Sequence, residues 1–162
     1  MPRTSGLKWL TAALVALCLG GGALAWWLLR EPAAPYALRD TPEVKVTVRA
    51  AESTYPEAEE VAYEVELVLK VYAQRLRGGD AADLAGIGAP WYTDREEAAQ
   101  RLIAEFGTHA DKPVEAVVAD PVAPGLTTVN LRFNDGQQQA LDLTRDDHVW
   151  WLSMGNGDPV KP

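Results

Sequence analysis

The chain has one cysteine, Cys18, and two histidines, His109 and His148. A single thiol excludes an intramolecular disulfide and any cysteine-based metal cluster. The histidines stand far apart and belong to no H-x-x-H or H-E-x-x-H pattern, so they spell no zinc site. Asp146, Asp147 and His148 are the one dense polar cluster, with the composition of a charged hairpin turn. The chain also lacks a G-x-S-x-G elbow, a P-loop and a dinucleotide-binding glycine pattern; Gly20-Gly21-Gly22 falls inside an apolar run. An excess of positive charge is missing as well. The formal net charge is −8, and the first thirty residues hold Arg3, Lys8 and Arg30 and no acid, so the remainder is more acidic still. Nucleic-acid binding leaves a basic footprint, and the sign here is wrong for it. Neither a metal nor a cofactor is expected.

What is present begins with an apolar run from Leu7 to Leu29, in which about twenty residues pass without charge after Lys8. Arg3 and Lys8 precede it, and the positive-inside tendency puts the N-terminus in the cytoplasm and the rest outside. Trp9 and the Trp26-Trp27 pair then fall at the two interfaces. A single-pass anchor over residues 1–30 is the expectation. Ala23-Leu24-Ala25 also offers a signal-peptidase site, with release before Trp26 as the alternative.

Glu31 to Glu43 holds three prolines and no periodicity, and with the residues up to Tyr55 it reads as a linker. Within it Val44, Val46 and Val48 alternate with polar residues, as an edge strand or an extended tail does. A long helix follows over Pro56–Arg77. Its apolar residues Val61, Val65, Val68, Tyr72 and Leu76 recur in steps of three and four, a single stripe widened by Leu69 and Ala73. Glu57, Glu59 and Glu60 suit its positive end, and Gly78-Gly79 stops it. Asp80 caps a short second helix ending near Gly86. Thr93 and Glu96 form the capping box of a third, with Ala98, Leu102 and Phe106 buried and Gly107 as its end.

From Lys112 the period changes to two. Val114–Val118, Thr127–Phe133, Gln137–Leu143 and Val149–Met154 alternate as strands. Pro124-Gly125, Asn134-Asp135-Gly136 and Arg145-Asp146-Asp147 provide short turns between them. The expected architecture is α+β. A long helix and two shorter ones pack on a curved antiparallel sheet of about four strands, the ectodomain covers 56–154, and a frayed tail occupies 155–162.

The order of elements, with Val71-Tyr72 late in the long helix, Gly79-Asp80 after it and Val149-Trp150-Trp151-Leu152 in the last strand, resembles the nuclear-transport-factor-2-like superfamily over Pro56 to Met154. The resemblance implies a cone of sheet and helices with an interior pocket. Some members of that superfamily are isomerases, cyclases or dehydratases, and many only bind or scaffold. Membrane-tethered bacterial members include secretion-assembly subunits and cell-envelope accessory proteins.

Five residues are candidate ligand-binding positions. Tyr72 lies on the buried stripe, where a core tyrosine with a satisfied hydroxyl is the competing role. Trp91 and Tyr92 precede the third helix, as a plug between helices or as ligand-facing aromatics. His109 follows that helix, where its charge suits the C-terminal end. Trp151 faces the open side of the sheet. No catalytic set assembles from the acids, since Asp120, Asp142 and Asp146-Asp147 sit at strand ends, on the solvent face or in a turn. The expected function is therefore a non-catalytic, membrane-anchored extracytoplasmic binding or scaffolding domain of the bacterial cell envelope, with a protein partner or a homodimer through the sheet face. A tethered pocket enzyme and a secreted product cleaved after Ala25 are the alternatives. N-terminal sequencing of the mature protein is expected to return the uncleaved N-terminus; Trp26 as first residue would replace the anchor with a signal peptide.

Overall fold

A computed structural model describes residues 34–53 and 55–159. The expected anchor over 1–30 and the cleavage site after Ala25 lie outside the described residues. Among the described residues no helix is long and apolar enough to cross a membrane. The elements are β1 (Val46–Ala50), α1 (Glu57–Gly78), α2 (Ala81–Ala85), α3 (Arg95–Phe106), a 3-10 turn over His109–Asp111, β2 (Val114–Val118), β3 (Leu126–Phe133), β4 (Gln138–Asp146) and β5 (Val149–Leu152).

The strands form one curled sheet in the order β1-β2-β3-β4-β5, with the helices packed against it, so the α+β architecture holds. The strand count is corrected to five. Val46–Ala50 is a strand, and it pairs parallel with β2, Val46 opposite Val114 and Ala50 opposite Val118. The remaining pairs are antiparallel. The difference has a connection behind it. A hairpin returns the chain antiparallel, whereas the crossover through α1, α2 and α3 brings β2 in beside β1 in the same direction. Gly136, at φ 94°, completes the β3–β4 hairpin. Asp147 and His148, at φ 48° and 66°, take the left-handed conformations that a two-residue turn between β4 and β5 demands.

The core lies between α1 and the concave face of the sheet. Val65, Val68, Leu69, Tyr72 and Leu76 are each at most 1% exposed, and they meet Val114, Ala116, Val118, Val129, Leu131, Phe133, Leu141 and Leu143 from the strands. These strand residues are the ones that alternate in sequence. The first helix stops as its glycines imply: Gly79 adopts φ 73° and its N–H donates to the Arg75 carbonyl. Asp80 caps α2 through the Asp83 N–H at 3.1 Å.

Three expectations need correction. Helix α3 begins at Arg95 behind Asp94, which has φ 55°, and Thr93 makes no capping bond. Its backbone is taken instead, since the N–H and C=O of Thr93 both pair with Asn156. The same bridge corrects the frayed tail over its described residues, 155–159. Asn156 is held by Thr93 and Asp94, the Asp158 carbonyl accepts from the Trp91 indole, and the Pro159 carbonyl accepts from the Thr144 hydroxyl. Residues 34–43, expected within a spacer, instead lie on the domain. Tyr36 is 6% exposed and its hydroxyl donates to the Trp150 carbonyl. The Gln74 amide exchanges hydrogen bonds with the Arg39 backbone and donates to the Pro42 carbonyl. An aperiodic segment gave no sign of this, because one buried aromatic makes no pattern.

Tyr36→Ala should destabilise the domain by about 3 kcal/mol, the usual cost of emptying a buried aromatic site. Denaturant unfolding measures it, and a loss within experimental error would show the segment to be a passive spacer.

Candidate functional site

Helix α1 presents acids on the flank opposite the one that carries Arg77. Glu57, Glu60, Val61 and Glu64 form one wall of a cleft of about 540 Å³, closed by the β2–β3 loop residues Pro121 to Gly125 and floored by Arg145 and Trp150. The local sequence explains each part. Glu57 and Glu60 lie in the first turn of α1, where its positive end favours carboxylates. Two prolines and a glycine at φ 76° fix the loop that forms the opposite rim. Arg145 and Trp150 face each other across the β4–β5 ladder and therefore point to the same side of the sheet.

Glu64 ties the floor together. Its carboxylate accepts from the Trp150 indole N–H at 2.9 Å and lies 3.1 Å from the Arg145 guanidinium, which is itself 5.9 Å from the centre of the Trp150 ring. Carboxylate, cation and aromatic face form one closed network, and the interactions strengthen as they leave water. The outer rim is different. Glu57 and Glu60 are exposed, and Val122 at 79% exposure projects from the loop. The cleft thus offers an apolar and aromatic floor beneath an acidic rim.

The five sequence candidates do not converge on this cleft. Tyr72 is fully buried, and its hydroxyl donates to Gln139 Oε1 at 2.8 Å. Burial pushes its phenol pKa up, the Gln139 hydrogen bond opposes that, and Glu105 adds to it. The Tyr36 phenol is pushed up in the same way, with Arg75 opposing. Gln139 Nε2 has no partner among the described residues. Trp91 and Tyr92 are adjacent, 6.3 Å between ring centres, and serve the C-terminal segment: Trp91 binds the Asp158 carbonyl, and Tyr92 packs under Gly157. Tyr92 also borders a second, smaller cleft of about 340 Å³ that shares Val122 with the first and is lined by Leu126, Asp142 and Ser153. His109 sits against the Phe133 ring with Nδ1 2.5 Å from Asp135 Oδ2, joining the 3-10 turn to the β3–β4 hairpin. Trp151 meets Tyr36 edge to face at 5.9 Å, and its indole nitrogen is buried without a hydrogen-bond partner among the described residues. Across the ladder it faces Thr144, whose own neighbour on β3 is Leu126.

The residues that sequence reasoning missed are Glu64, Arg145 and Trp150. Glu64 looks like one more acid in an acidic helix, and Trp150 like core. Only the fold brings positions 64, 145 and 150 together. No group of His, Cys, Asp and Glu that could hold a metal ion occurs among the described residues.

Two outcomes follow. Glu64→Ala should cost about 2 kcal/mol, because it leaves the largely buried Trp150 indole N–H unpaired beside a half-buried guanidinium; thermal or denaturant unfolding measures this. The Asp135 carboxyl is held below its ordinary value of 3.8, first by the hydrogen bond from His109 and then by the Gln137 N–H. A lowered folded pKa contributes stability that is present above the unfolded value and lost as pH falls through the folded one. The melting temperature of Asp135→Asn should therefore lie below wild type at neutral pH and converge with it in strong acid. The chain matches no protein-family profile, no curated protein and no solved structure.

Proposed function

We propose that the protein is a non-catalytic binding or scaffolding domain, held at the membrane by its N-terminal apolar segment, with residues from Ala34 onward on the extracytoplasmic side. The anchor reading rests on the run from Leu7 to Leu29, the flanking charges and the interfacial tryptophans. The binding reading rests on one observation above the others, the acid-rimmed cleft between α1 and the β2–β3 loop with Trp150 and Arg145 on its floor. Its chemistry fits a partner segment that brings a basic side chain together with apolar ones. The helix-then-meander order also keeps the kinship with the nuclear-transport-factor-2-like superfamily as part of this proposal, on the side of its tethered, non-enzymatic members.

The interior favours binding over pocket chemistry. Tyr72 is fully buried, its hydroxyl is committed to Gln139, and it belongs to the same apolar core as Val65, Val68, Leu69 and Leu141. A surface cleft needs no such opening.

A photo-reactive amino acid placed at Val122 in the full-length protein, in its native membranes, tests the binding reading, with Leu38 as an exposed control position. Adducts are expected from Val122 alone and should disappear in the Glu57→Lys, Glu60→Lys double variant. Adducts at neither position, or adducts indifferent to charge reversal, would remove the cleft as the site. Alkaline phosphatase fused to the C-terminus should be active, since it folds only outside the cytoplasm; an inactive fusion would reverse the topology.

A further inference from the structure

The two edges of the sheet are treated differently. At β5 three outward backbone groups are met. Leu152 N–H donates to the Ile87 carbonyl, its own carbonyl accepts from the Ala89 N–H, and the Trp150 carbonyl accepts from the Tyr36 hydroxyl. At β1 they are not. The bonds from Val114 N–H to the Lys45 carbonyl and from Ala51 N–H to the Val118 carbonyl fix the phase of the parallel ladder. Lys45, Thr47, Arg49 and Ala51 then turn their backbone groups to β2. Val46, Val48 and Ala50 turn theirs outward, where no described residue meets them. This edge has no proline and no bulge, two of the devices that blunt an open strand; its charges are Lys45 and Arg49.

On the helix above the edge, Lys70 lines a cleft with Val44 and Val46. Tyr63 is 80% exposed and Leu67 40% exposed. Tyr63 and Leu67 lie on the face of α1 turned away from the sheet, so the open strand edge itself is the surface on which another strand can pair.

We propose that this surface pairs with a second copy of the chain, β1 against β1 in antiparallel orientation about a two-fold axis at Val48. The register follows from charge and phase. Outward-facing residues must oppose outward-facing residues, which allows Val48 opposite its own copy with Val46 opposite Ala50, and that choice gives the longest overlap. It places Arg49 opposite Thr47 of the other copy. Sliding the pairing by two residues puts Arg49 opposite Lys45 one way and opposite itself the other way, both repulsive. In the preferred register each Arg49 keeps its own Glu115, 2.8 Å away. Glu43 and Glu52 flank Lys45 and Arg49, so the segment is locally neutral within an acidic chain and two copies approach here with less repulsion than elsewhere. The two-fold makes the contact self-complementary and closed.

The test uses the full-length chain with Cys18→Ala, carrying either Thr47→Cys or Arg49→Cys. Under mild oxidation a disulfide-linked dimer is expected when the two variants are co-expressed, and little or none from either alone, because position 47 opposes 49 and not itself. Equal cross-linking of the single variants, or none in the mixture, would overturn the pairing, whether the chain is then monomeric or dimerises by another surface. Val48→Pro supplies the second readout. It removes an N–H that the β2 ladder does not use, so far-UV circular dichroism should be retained while the mixed cross-link falls at least about tenfold. A folded Val48→Pro protein with the cross-link undiminished would also refute the two-fold at Val48.

Discussion

Everything else in the domain depends on the burial of one helix stripe against one sheet face. Val65, Val68, Leu69, Tyr72 and Leu76 on α1 can be hidden only by a curved surface, and β2, β3 and β4 provide it through alternate residues. Burying side chains of this kind is worth about 2 kcal/mol each, and the terms add only if the surface closes on all of them together. Closure has consequences at the rim. The flank of α1 that faces β4 and β5 brings Glu64 to Arg145 and Trp150, and the opposite flank overlooks β1.

The polar groups drawn inside by this packing are handled unequally. Tyr72 and Gln139 satisfy one another in part, and the Gln139 amide nitrogen is left over. Gln74 is answered completely, by backbone groups of Arg39 and Pro42. That second arrangement joins the segment before β1 to α1, and Arg39 extends it by reaching Asp83, which in turn faces Arg75. Asp83 and Arg75 are largely buried and paired, with Arg39 at the exposed end, so these charges fix position more than they add stability. The result is a segment without secondary structure that nevertheless belongs to the core.

The same logic separates the two sheet edges and the clefts at the rim. The loop from Ile87 to Ala89, between the end of α2 and the start of α3, covers β5, whereas nothing in the described chain order returns to β1. Val122 stands between the acid-rimmed cleft and the smaller one bordered by Tyr92, so a single short loop shapes both. Binding surfaces placed on loops and edges of a rigid scaffold can vary without disturbing the helix–sheet contact that holds the fold.

Local features were legible in the sequence. The stripe from Val61 to Leu76 marked α1, Gly78-Gly79 marked its end, Asp80 marked a cap, and the two-residue alternation from Lys112 onward marked the strands, because periodicity and turn chemistry are carried by neighbours in the chain. The capping role expected of Thr93 failed because its backbone is claimed by Asn156, a residue far along the sequence. The tail and the segment around Tyr36 looked featureless for the same reason: each is held by a few long-range contacts rather than by a repeating pattern. The parallel pairing of β1, the convergence of Glu64, Arg145 and Trp150, and the opening of one edge with the covering of the other were decided by tertiary structure alone. Which residues turn inward is a property of spacing along the chain, whereas which of them meet depends on how separate segments are brought together, and spacing does not encode that.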